Sequence, residues 1–214
     1  MGKRMGSVFL TAGAVALVAG LSAAPSLATT ATTWNVSPGG TVALIQSGHF
    51  TLADVTTGHS LVCARMKGAG QFKSGSGLPG ANIGSVTALA LSQCTGPGGV
   101  TFTIKPRDLP WAMSAESYDP AVTAGTVTGT ISGLHAGVSG TGCNATVDGT
   151  SATADNGQTE IHYHNSLGKL KIRTEASTLH FYHVRGCGGL INSGDSVTFS
   201  SAYHVKPAQT ITSS

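Results

Sequence analysis

An all-β fold, an antiparallel β-sandwich or a barrel-like sandwich, is what this sequence predicts, and three observations carry the prediction. Charged residues make up only 10% of the chain while glycine alone supplies 30 residues, a composition of short strands and tight turns rather than of amphipathic helices. Short runs alternate apolar and polar side chains, and turn-forming residues separate nearly all of them. Four cysteines, in a chain that opens like an exported one, read as two disulfides.

Residues 1–28 read as a signal peptide. Lys3 and Arg4 supply its charged start and "VFLTAGAVALVAGL" (8–21) its apolar stretch, with Ser26 and Ala28 as the small residues before a cut after Ala28. That stretch is too short for a membrane span, and no later apolar run is long enough for one. About 186 residues remain, enough to bury roughly 70% of the unfolded chain's surface in one core. Removing Lys3 and Arg4 from the 12 basic residues leaves ten against 9 acids. The mature chain is therefore nearly neutral, and its charge gives no support for a nucleic-acid partner.

Along the mature chain, 29–36 reads as a disordered lead-in and 208–214 as a tail, with a single β-rich domain over 37–207 between them. Its strands are "TVALIQ" (41–46), "FTLADV" (50–55), "HSLVCARM" (59–66), "VTALALSQ" (86–93) and "GVTFTI" (99–104). After them come "GTVTGTISGLHAGVSG" (125–140), "NATVDG" (144–149), "TEIHYH" (159–164), "KLKIR" (169–173), "TLHFYHV" (178–184) and "SVTFSSAYHV" (196–205). "RDLPWAMSAESYDP" (107–120) breaks the alternation with Pro110 and Pro120 and reads as the connection between two halves, 37–106 and 121–207. In each half a cysteine is followed within five or six residues by glycine (Gly68, Gly149). A strand then leads to a second cysteine, a turn and a further strand. This echo favours the pairing Cys63–Cys94 and Cys143–Cys187 among the three connectivities that four cysteines allow. Each bridge is worth roughly 3 to 4 kcal/mol on the chain-entropy account.

The strings "SGSGLPGANIGSVTAL", "CTGPGGVTFTI", "LPWAMSAESYD", "GTISGLHAGVSGTGCNATVDGTSATADNG" and "GCGGLINSGDSVTFSSAYHV" resemble a family of exported actinobacterial proteins in which similar phrases recur in the same order. The resemblance covers most of the mature chain. It implies a compartment and a lineage, and it carries no catalytic residues.

Histidine is the residue type that tempts a metal reading. Side chains two apart on a strand share a face and those three apart oppose one another, so His180 and His183 cannot hold one ion unless a bulge intervenes. His162 and His164 do share a face. The alternation of "TEIHYH" and "KLKIR" turns Ile161, Tyr163, Leu170 and Ile172 inward and sets the two histidines outside, beside Lys169, Lys171 and Arg173. A divalent ion is repelled there and the imidazoles are hard to protonate. The same five residues, Lys169, Lys171, Arg173, His162 and His164, form a basic stripe suited to an anionic envelope polymer or glycan. No metal site and no cofactor is expected.

Catalytic motifs fail on context. Gly194, Asp195 and Ser196 spell the block of one lipase-like class, but at the start of a late strand. Ser166 to Lys169 match the SxxK spacing of penicillin-binding enzymes, but within a hairpin turn rather than on a helix. A transmembrane barrel is disfavoured because the strands read as shorter than the 9 to 11 residues such barrels use. The sequence therefore predicts a secreted, non-enzymatic binding or structural module. A secreted hydrolase whose site is assembled from distant strands is the alternative.

Overall fold

A computed structural model describes residues 31–122 and 125–214; the signal-peptide reading lies outside them. Fifteen strands follow in order: β1 (Thr33–Ser37), β2 (Gly40–Gln46), β3 (Phe50–Asp54), β4 (Ser60–Phe72), β5 (Gly75–Pro79), β6 (Gly84–Thr95), β7 (Thr101–Arg107) and β8 (Trp111–Asp119) form the first part. β9 (Thr126–Gly140), β10 (Cys143–Asp148), β11 (Gly157–His164), β12 (Lys169–Ile172), β13 (Leu179–Arg185), β14 (Ser196–Lys206) and β15 (Thr210–Ser213) complete them. The fold is all-β and antiparallel, with both disulfides in place.

The pairings resolve into eight antiparallel runs, each beside the next in sequence: β2 with β3, β4, β6, β7 with β8, β9, β10 with β11, β12 with β13, and β14. The last run returns to the first, because β14 pairs with both β2 and β3. The sheet is thereby a closed up-and-down meander, which removes free edges from its wall.

Displacing every run by four places reproduces the same set of neighbours. The runs that match differ only in whether they are broken midway. β9 is continuous where β2 and β3 are separate, and β4 is continuous where β10 and β11 are separate. β6 answers in the same way to β12 with β13, and β14 to β7 with β8. The halves are therefore 40–119 and 126–206. The stretch 107–120 is not the connection between them, since Trp111–Asp119 pairs with both β6 and β9. Its Pro110 sits where β7 gives way to β8, the kind of gap in a strand where a missing N–H costs least.

Alternation fixes what faces inward. Val42, Leu44, Phe50, Leu52, Met113, Ile131, Ile161, Tyr163, Leu170, Phe181, Phe199 and Val205 are among the side chains that fill the barrel. Burying such a side chain is worth about 1.5 to 3 kcal/mol. The gaps between them measure about 30, 10 and 20 Å³, room for a water or two and for no larger ligand. Cys63–Cys94 joins β4 to β6, and Cys143–Cys187 joins β10 to the turn after β13. The four-run displacement carries the first bridge onto the second.

Both ends of the described chain are ordered, contrary to the expected lead-in over 29–36 and tail over 208–214. β1 pairs with β15 and β5 in a small three-stranded sheet. Trp34, Val36 and Ile211 are buried in it, and Ile211 meets Phe72, Met113, Ile161 and Leu170 at one end of the barrel. The C-terminal segment is clasped by polar groups. Tyr163 Oη donates to Gln209 O (2.8 Å) and accepts from Gln209 N (2.8 Å). Asn165 donates to Ile211 O (2.7 Å) and accepts from Ile211 N (2.8 Å).

No helix among the described residues is long and apolar enough to cross a membrane. The argument from short strands does not hold, since β4, β6, β9 and β14 run 13, 12, 15 and 11 residues. What the structure offers instead is facing. On β7, Phe102 and Ile104 point into the barrel while Thr101, Thr103, Lys105 and Arg107 are exposed outside, on that strand the reverse of an outward apolar band.

Candidate functional site

A filled interior leaves the outer wall as the place for chemistry. The expected stripe lies on it in a regular register: His162 opposite Lys171 and His164 opposite Lys169, with Ile161 opposite Ile172 and Tyr163 opposite Leu170 on the inner side. Three of its five members are spoken for. His162 Nε2 bonds Glu160 (2.8 Å). Arg173 makes a two-pronged contact with Glu175, at 2.6 and 3.0 Å. His164 is only 7% exposed, and its Nδ1 meets the Thr126 hydroxyl at 3.0 Å. Burial, with Lys171, His162 and Lys169 nearby, holds its imidazole below the usual histidine range. Lys169 and Lys171 remain. The row continues from Lys169 to His204 on β14, Ile45 on β2 and Lys67 on β4.

A second basic surface, which sequence reasoning missed, lies on the half of the barrel that carries the disulfides. β7, β9, β10 and β13 form a groove of about 410 Å³ whose walls carry Lys105, Arg107, Asn144, Thr146, His183 and Arg185. Lys105 faces Gly137, Gly137 faces Thr146, and Asn144 faces Arg185 across the strands. A Cβ on Gly137 would meet the Arg107 guanidinium at 3.0 to 3.3 Å, so the bare glycine backbone gives that side chain a few tenths of an ångström more room over the groove floor. Among the described residues no carboxylate lies within ion-pair distance of Lys105, Arg107 or Arg185. A multivalent anion entering the groove meets three unpaired cations and the Asn144 and Thr146 side chains, a setting for charge-assisted hydrogen bonds.

His183 corrects the expectation that it opposes His180. Thr146 pairs with Tyr182 and Asn144 with Arg185, so β13 has two residues where β10 has one. His183 takes up the extra position with φ +51, a bulge that re-aims its side chain. Its Nδ1 lies 3.2 Å from the outward Thr146 hydroxyl, on the wall that also bears His180 and Tyr182.

At one end of the groove, beside Arg107, stands a cluster that no local spacing announces. His135 on β9 pairs across the strands with Arg107. Its Nδ1 bonds Asp108 and lies 3.6 Å from Asp155 Oδ1, while its Nε2 lies 3.6 Å from Asp148 Oδ1. Asp148 is 2% exposed, and that oxygen has no hydrogen-bond partner. Burial pushes its carboxyl up, against the pull of His135. Ligand atoms of Asp108, His135 and Asp155 all lie within 4.8 Å of one another.

Compared with protein-family models, with curated proteins and with solved structures, the chain matches none.

Proposed function

We propose that this is an exported, non-enzymatic binding module that holds an anionic polymer or phosphorylated glycan of the extracellular space or cell envelope against the outside of its barrel. The observation that carries the reading is the groove in which Lys105, Arg107 and Arg185 converge with no carboxylate partner among the described residues. The packed interior supports it, since the gaps among the described core residues, of about 30, 10 and 20 Å³, hold no more than a water or two. Lys169 and Lys171, extended by His204 and Lys67, form a lesser contact on another part of the wall. The two disulfides support an oxidising compartment, and the resemblance to exported actinobacterial proteins supports an envelope partner.

The test is binding of the mature protein to purified actinobacterial envelope, beside two variants. Lys105→Ala/Arg107→Ala/Arg185→Ala loses the binding and Lys169→Ala/Lys171→Ala weakens it. Turnover of an envelope substrate that disappears on one Asp or His substitution would replace this reading with that of a hydrolase.

A further inference from the structure

We propose that Asp108, His135 and Asp155 form a divalent-cation site of the imidazole–carboxylate kind that takes zinc, with the buried Asp148 as the residue that orients its histidine.

Three segments far apart in the chain deliver the ligands. Asp108 ends the turn out of β7 with φ +52, a left-handed conformation that returns its carboxylate toward β9. Asp155 comes from the loop between β10 and β11, and His135 projects from the outer face of β9. Asp108 and Asp155 are 58% and 64% exposed and His135 only 16%, so the protein holds the inner side of the site while water can complete the outer side. The distance from His135 Nδ1 to Asp155 Oδ1 is 3.6 Å. Ligand atoms on a cation with bonds of about 2.0 to 2.2 Å stand roughly 2.9 to 3.5 Å apart, so an ion draws His135 and Asp155 together by a few tenths of an ångström, and the two exposed carboxylates of a set already within 4.8 Å close the rest.

Asp148 is the independent sign that something is to be bound. A carboxylate this deeply buried with an unpartnered oxygen is costly; that oxygen, Oδ1, lies 3.6 Å from His135 Nε2, with Thr146 and His183 also beside the carboxyl group. A metal on Nδ1 fixes the ring so that Nε2 carries the proton and donates it to Asp148 Oδ1. This is the carboxylate–histidine–metal relay by which proteins orient a ligating imidazole. Without a cation, three carboxylates crowd one imidazole; with one, their charge is compensated. A nitrogen ligand beside two carboxylates suits zinc, whereas calcium takes six to eight oxygens. The site stands on its own, whatever the groove binds.

Calorimetric titration of chelator-treated protein with zinc chloride, and separately with calcium chloride, tests this. Zinc binds one-to-one in the micromolar range or tighter, and calcium at least tenfold more weakly. Asp108→Asn/Asp155→Asn keeps all eight histidines, changes two exposed side chains and fits asparagine to the left-handed position; it abolishes the binding. Asp148→Asn, confirmed folded by its melting transition, binds zinc 10- to 100-fold more weakly. Undiminished zinc binding in the double variant, calcium binding as tight as zinc, or no zinc binding at 100-fold excess would each overturn the assignment.

Discussion

Asp54 and Asp195 meet carboxyl against carboxyl at the seam where the last run of the barrel closes on the first. Asp54 Oδ1 accepts the backbone N–H groups of Thr56 and Thr57 at 2.8 and 2.9 Å. Asp195 Oδ2 accepts from the backbone and side chain of Asn192 at 2.8 and 3.0 Å. Asp54 Oδ2 is left buried without a partner unless a proton lies between the two acids. Burial accordingly pushes Asp54 up. Burial acts on Asp195 in the same sense, but the Asn192 hydrogen bonds outweigh it and hold that acid low. A raised acid favours folding below its ordinary range and loses that contribution as pH rises through its folded value. Asp54→Asn keeps the acceptor for Thr56 and Thr57 and gives Asp195 a permanent donor. It is expected to be more stable than the parent by about 1 kcal/mol at pH 7 to 8, with no such decline between pH 4 and 8. A lower melting temperature at pH 7 would contradict the shared proton.

His164 gives the opposite pH sign. Its lowered value means that stability is present above the ordinary histidine range and is lost as pH falls through the folded value. Replacing it with glutamine, which keeps a polar contact to Thr126, is expected to flatten the melting curve below pH 6.5. A curve unchanged in shape would show that the imidazole is solvated in the folded state.

The two disulfides hold positions that the four-run displacement makes equivalent, and they close 31- and 44-residue separations. Replacing either pair with alanines is expected to cost roughly 3 to 4 kcal/mol, the second by only about 0.3 kcal/mol more on loop length. Urea unfolding of the two variants measures this. A large asymmetry would mean that the two sides of the barrel are not energetically equivalent.

Removing residues 208–214 takes away β15, Gln209 and the groups that Tyr163 and Asn165 hold. The variant is expected to melt well below the parent and to show red-shifted tryptophan emission as Trp34 becomes wet. Unchanged emission would return this segment to the status of a loose tail.

Much of this was legible in the sequence where the information is local. The alternation in "TEIHYH" and "KLKIR" turns Ile161, Tyr163, Leu170 and Ile172 inward and sets the register across their short turn. The cysteine echo reflects a real equivalence of runs. The tails were not legible, because residues 33–37 and 208–214 are too short to show a period and find their partners far along the chain, 46 residues away for Tyr163 and Gln209 and 181 for Thr33 and Ser214. The neutralisation of Arg173 by Glu175 depends on the bend after β12, and the pairing of His162 with Glu160 on both being outward neighbours. The basic groove draws on four strands, and the Asp108, His135 and Asp155 set joins three segments, so neither has a spacing to recognise. The His183 bulge is invisible because nothing in "TLHFYHV" marks the extra residue.

The most direct test of the account is the affinity of residues 29–214 for a purified phosphate-bearing envelope polymer over a salt series. Binding is expected to weaken steadily with salt, as contacts made by charge alone do, with a shallower dependence and at least tenfold lower affinity in Lys105→Ala/Arg107→Ala/Arg185→Ala. Affinity and salt dependence unchanged in that variant would contradict the claim that the groove is the binding surface.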